Sequence, residues 1–188
     1  MAQLSSPHGA QPRDNHDHPH AHRADLLWYN VISMGICAGG TVYQMLVIVP
    51  LWSASPPESV RAFFLGTGWL GTIGNFFGPQ TMALRVLPIL LGLIAGWHLR
   101  THRGWLLVPV LCSIAGLTMT LFYIYPINDV LFTQAGANLA PDAVRTTVRQ
   151  WILADRVRFA IMSVGYLCLL RALSIPFPND ARSTLPLA

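Results

Sequence analysis

Long apolar runs alternate with short polar connectors along this chain. The first run extends from about Leu26 to Pro50 and contains no charged side chain. A run of that length is enough to cross a bilayer with some tilt. Trp28 and Trp52 stand at its two ends, where interfacial aromatics belong. Within it, Gly35, Ala38, Gly39 and Gly40 offer a small-residue surface for close helix approach. A second run covers about 79–99, and a third covers about 105–125 and carries Ser113, Thr118 and Thr120. Those hydroxyls can bond back to their own helix. Pro126 is expected to break the third helix. A fourth helix is expected over 142–175, starting at Pro141-Asp142 and closed by Pro176 and Pro178. Its membrane part is about Asp155 to Leu173, and its first turns lie outside the hydrocarbon.

The stretch between the first two runs follows a different pattern. Ser55-Pro56-Pro57-Glu58 resembles a helix start. The residues after it are aromatic and glycine-rich, with Arg61 their single charge. They predict a short interfacial helix or a re-entrant segment, tolerated where protein buries its backbone. Residues 1–25 are polar, carry five histidines and predict a disordered tail able to bind a divalent metal weakly. Residues 177–188 form a short polar C-terminal tail. The expected fold is therefore all-α: a four-transmembrane-helix bundle over 26–176 with a tail at each end.

Composition strengthens this picture. The chain has 188 residues, 53% hydrophobic and 11% charged, whereas soluble domains carry roughly a quarter charged residues. It contains no lysine, and twelve arginines oppose eight acids for a net charge of +4. The arginines are scattered and flank apolar runs rather than forming a basic face, which argues against nucleic acid. Membrane lipid and a hydrophobic small molecule are the expected partners; self-association into a homo-oligomer stays open. Cys37, Cys112 and Cys168 each fall in a different apolar run and read as packing residues. No nucleotide-binding or hydrolase motif is present, and no internal repeat is evident.

Alternation of four spans brings both termini to one side. The short loop Arg100-Thr101-His102-Arg103-Gly104 is the best positive-inside signal. It makes the termini cytoplasmic, in what is expected to be a bacterial inner membrane. The same alternation brings Tyr43, Gln44, Arg61, Asn75, Arg85, Asn128, Asp129, Trp151, Asp155, Arg156 and Arg158 to the opposite end. Polar groups on several membrane helices that converge at one end describe a small-molecule pocket.

Trp151, Asp155 and Arg158 are spaced by four and three, so they share a helix face. Arg158 suits an anionic or phenolate oxygen. Asp155 suits a general base, though a neighbouring guanidinium makes it a poorer one. Asn128 suits an enolate-like oxygen, and Trp151 a planar ring. Tyr43, Gln44, Arg61, Asn75 and Arg85 are further candidate binding residues. The same groups also fit a purely structural ion pair and chain-end cap, and the sequence leaves both readings open. His98 and His102 are four apart, a spacing that suits haem or copper. Arg100 and Arg103 equally mark that stretch as an interfacial loop, and the main reading needs no cofactor.

The run Tyr43-Gln44-Met45-Leu46-Val47-Ile48-Val49-Pro50-Leu51-Trp52, the tripeptide Pro126-Ile127-Asn128 and the pattern Trp151-x-x-x-Asp155-x-x-Arg158 resemble the anthrone oxygenase-like family. These are small four-helix integral membrane proteins. The resemblance covers most of residues 27–175. It implies oxygenation of a reduced aromatic polyketide without an obvious metal, with Asn128, Trp151 and Arg158 at matching positions. Asp155 stands where that family usually has asparagine.

Overall fold

The computed structural model describes residues 18–67, 79–97, 99–132 and 138–176. Every regular element among them is helical. Helix α1 (His18–Tyr43) passes through a π turn (Gln44–Ile48) into α2 (Val49–Ser53). Then come α3 (Glu58–Thr67), α4 (Pro79–Gly96) and α5 (Arg100–Met119). A second π turn (Thr120–Ile124) joins α5 to α6 (Tyr125–Phe132), and α7 (Pro141–Leu173) completes the order.

The local reasons are legible in the chain. α3 begins at an acidic residue, Glu58, which suits the positive end of the helix dipole. The turn before it is fastened by Ser59: its hydroxyl donates to the Trp52 carbonyl at 2.7 Å and accepts from the Ser55 N–H at 3.1 Å. α7 follows an extended Ala140, places Pro141 in its first turn and adds Asp142 there.

Three boundaries differ from expectation. α1 begins at His18, well before the apolar run. Trp52 is not an interfacial aromatic; it is 1% exposed. Pro126 does not break its helix, since helical backbone continues to Phe132. The expected interfacial piece after the first run is α3, and residues 68–78 lie outside the described part.

The long helices pack in a ring: α1 against α4, α4 against α5, α5 against α7, and α7 against α1. They alternate in direction. One buried cluster joins Leu27 and Met34 of α1, Ile89 of α4, Leu106 of α5 and Leu169 of α7. The other joins Trp52 of α2, Phe64 of α3, Ile124, Phe132 of α6 and Trp151 of α7. α5 and α7 approach closely at Gly165, where an added Cβ would lie 3.0 Å from the Cys112 Cβ. The three cysteines form no disulfide.

The surface is apolar on all four long helices. Ile32 and Ile36 face outward on α1 and Leu46 on the first π turn; Leu87 and Ile94 do so on α4, Leu111 and Ile114 on α5, and Leu153, Val157, Val164 and Leu167 on α7. Monomeric soluble proteins rarely expose apolar area on this scale. Asp25–Ser53 (29 residues) and Arg100–Phe132 (33 residues) are long and apolar enough to cross a membrane. At the end holding Leu27 and Leu169, Arg103 stacks over Trp97 and Arg171 over Trp105, at 5.4 and 6.0 Å from the ring centroids.

Candidate functional site

Both π turns end two residues before a proline. In the first, the Val49 N–H bonds to the Gln44 carbonyl; in the second, the Tyr125 N–H bonds to the Thr120 carbonyl. Pro50 and Pro126 follow directly. A proline ring inside a helix crowds the carbonyl four residues earlier and supplies no N–H. A turn widened by one residue relieves that clash, and such turns recur at functional sites. The two segments correspond over seven residues: glutamine or threonine, three variable positions, isoleucine, one variable position and proline.

Each π turn presents its first and fifth residues inward. Gln44, Ile48, Thr120 and Ile124 are all buried. Eight positions after the polar member stand Trp52 and Asn128, again a corresponding pair. All six line one chamber of about 80 Å³, which Phe64, Phe132, Trp151 and Arg158 help to close. Its aromatic walls pack edge to face, with Trp52 centroids 5.6 Å from Phe64, 5.4 Å from Phe132 and 5.1 Å from Trp151. Phe64 stacks on Phe132 at 3.7 Å.

The polar groups form two linked sets. The Trp151 indole Nε1 donates to Asn128 Oδ1 at 2.7 Å. An indole N–H is only a donor, so this bond fixes the amide and leaves the Asn128 Nδ2 hydrogens for the chamber. Arg158 donates through Nη2 to Asp155 Oδ1 and through Nη1 to Thr120 Oγ1 at 3.3 Å. Thr120 in turn donates to the Gly116 carbonyl at 2.8 Å. Asp155 is the fully buried member, with 1% of its side chain exposed against 15% for Arg158. Asp155 Oδ2 and Gln44 Oε1 are buried and have no hydrogen-bond partner among the described residues.

Arg158 also lines a second chamber of about 80 Å³ between α1, α4, α5 and α7, with Thr120 again on the shared boundary. The guanidinium therefore stands between two spaces, held from behind by a carboxylate and from the side by a hydroxyl.

The structure brings together Gln44, Asn128, Trp151, Asp155 and Arg158. Tyr43 points away, with 58% of its surface exposed. Arg61 is half-buried on α3, and Arg85 belongs to α4. Asn75 and His98 lie outside the described residues. His102 is 1% exposed, and its Nε2 lies 3.2 Å from the Ile175 carbonyl while Nδ1 lies 3.2 Å from Thr101 Oγ1. A carbonyl only accepts, so Nε2 carries the proton and Nδ1 takes the hydroxyl hydrogen. Nε2 thus ties the start of α5 to the residues just after α7, while Nδ1 is engaged within α5. Among the described residues, no group of three His, Cys, Asp or Glu side chains is placed to hold a metal ion.

Thr120, Trp52, Phe64 and Phe132 were not expected at the site. The signal for Thr120 and Trp52 was the seven-residue correspondence; the phenylalanines carry none. No protein-family model matches the chain, and no curated protein or solved structure matches it either.

Proposed function

We propose that this is a four-span integral membrane protein that binds a hydrophobic aromatic or quinone-like molecule and oxidises it with molecular oxygen. The bundle end that holds α3 faces away from the cytoplasm, and both termini face it. α4 and α7 cross alongside α1 and α5: they pack against them in the ring and carry outward apolar faces of their own. Asp155 and Arg158 of α7 sit inward, Asp142, Arg145, Arg149 and Arg171 lie in its outer turns, and exposed Arg156 stands at the start of the expected membrane part, where a long side chain can reach the interface.

The observation that carries the reading is the environment of Arg158. A guanidinium flanked by two chambers, with donors left beyond those given to Asp155 and Thr120, is an anion site in an aromatic-walled space. A structural ion pair alone needs no open volume beside it. Arg158 and Asn128 Nδ2 would hold the oxygen of a ring enolate or phenolate. Asp155 lines neither chamber; it keeps the guanidinium in place, and we assign its unpartnered second oxygen, beside Arg158, as the base for a ring CH₂ proton. An activated ring CH₂ and O₂ then give the ring ketone and water, the conversion associated with the anthrone oxygenase-like proteins that the motifs resemble.

The test is oxygen uptake by the purified protein with anthrone. The expected result is one O₂ consumed per anthrone, falling at least about tenfold in an Arg158→Met variant. Equal uptake by both proteins, or none by the intact one, removes the assignment.

A further inference from the structure

We propose that the second chamber holds an aliphatic tail, so that the ligand is an aromatic or quinone ring bearing an alkyl or prenyl chain. This rests on the ring site proposed above and extends it past Arg158. The two chambers share Arg158 and Thr120 as lining and so adjoin there; a molecule lying across that boundary would take the place of the 3.3 Å contact between the two side chains. Along α7 the ring chamber runs from Trp151 to Arg158 and the second from Arg158 to Tyr166. At the helical rise these are about 10 Å and about 12 Å, end to end rather than side by side.

The walls differ in kind. The ring chamber has five aromatic side chains and the amides of Gln44 and Asn128. The second has mostly apolar walls, chiefly Met34, Val86, Ile89, Leu117 and Met162, with Phe159 and several hydroxyl side chains among them. Thioether and alkyl walls adapt to a chain with many conformers. Ser113 and Tyr166 lie at the end away from Arg158, about two turns along α5 and α7. The polar group therefore belongs at the Arg158 junction, with apolar length on the far side.

The test uses the full chain in phosphatidylcholine nanodiscs and two probes, methyl-1,4-benzoquinone and decyl-1,4-benzoquinone. Quenching of tryptophan emission reports binding, because Trp52 and Trp151 line the ring chamber. Affinities are expressed per mole fraction in the bilayer, which removes membrane partition. The decyl compound is expected to bind at least about tenfold more tightly than the methyl one. Ala38→Phe and Ser113→Leu, which fill the second chamber from α1 and α5, are expected to reduce that preference to within about twofold while leaving the methyl compound unaffected. Methyl binding in each variant doubles as its folding check. No chain-length preference in the parent protein, or an unaltered preference in both variants, overturns the tail site alone. If neither quinone quenches more strongly than it does in Arg158→Met, the ring site fails and the tail site with it.

Discussion

Asp155 is the residue whose removal should be felt most sharply. Its carboxylate is 1% exposed and bonded to an Arg158 side chain that is 15% exposed. Asp155→Ala leaves a largely buried guanidinium with the Thr120 hydroxyl as its remaining bonded partner at 3.3 Å. Breaking a buried pair from one side costs about 3–5 kcal/mol, since the orphaned charge stays out of water. For a chain of this size, each kcal/mol moves the melting temperature by roughly 2–4 °C, so a drop on the order of 10 °C is expected. Asp155→Asn keeps an acceptor for Arg158 but not its countercharge and should cost an intermediate amount, about 1.5–3 kcal/mol. The double variant Asp155→Ala/Arg158→Met removes the stranded charge and should recover most of the loss, giving a coupling of at least about 2 kcal/mol. The assay is thermal and denaturant unfolding in one detergent, followed by tryptophan emission. An Asp155→Ala protein within about 1 kcal/mol of the parent, or a double variant no more stable than the single one, refutes the reasoning.

Other perturbations probe the rest of the frame. Trp151→Phe removes the 2.7 Å bond to Asn128 and should cost about 1–3 kcal/mol, read by the same unfolding assay; a neutral result would mean that bond contributes nothing. Gly165→Val pushes a side chain into Cys112 and the Pro109 backbone, 3.0 and 3.4 Å from the new Cβ, and should destabilise by about 1–3 kcal/mol or more. Pro126→Ala should leave stability unchanged or higher, because a helix-interior proline disfavours the helix by up to about 3 kcal/mol. It should nonetheless weaken quinone quenching, since closing the wide turn rotates Asn128 by about 100°. Unchanged quenching would show that the proline does not hold that turn open.

Much of the helical layout was readable from hydrophobic pattern. α7 starts at Pro141 and runs to Leu173 because no breaker interrupts it, and Gly165 is tolerated within it. Thr120 bonds back to its own helix, as a membrane-helix hydroxyl does. The facing of Trp151, Asp155 and Arg158 followed from spacing alone, because helical geometry fixes which positions share a face. Prolines were the weak point. A proline was expected to end the third helix; the chain instead widens one turn and continues, and this carries Asn128 to Trp151. Tyr43 and Gln44 show the same limit. Adjacent residues in a helix point about 100° apart, so one of the two had to face out, and periodicity did not say which.

The sequence by itself determined an all-helical chain with long apolar segments, because uncharged runs of that length have one economical way to satisfy their backbone. It also determined which polar residues lie near one end, since alternation of direction follows from the connectors. Only the tertiary structure decided which of them meet. Arg158 faces Asp155 and Thr120, Asn128 takes the Trp151 indole, and Trp52 leaves the expected interface for the aromatic core. Those contacts depend on how two widened turns rotate the helices that follow them. The prolines mark where the turns fall, but which side chains the rotation brings together is set by packing between helices distant in sequence, which no local pattern encodes.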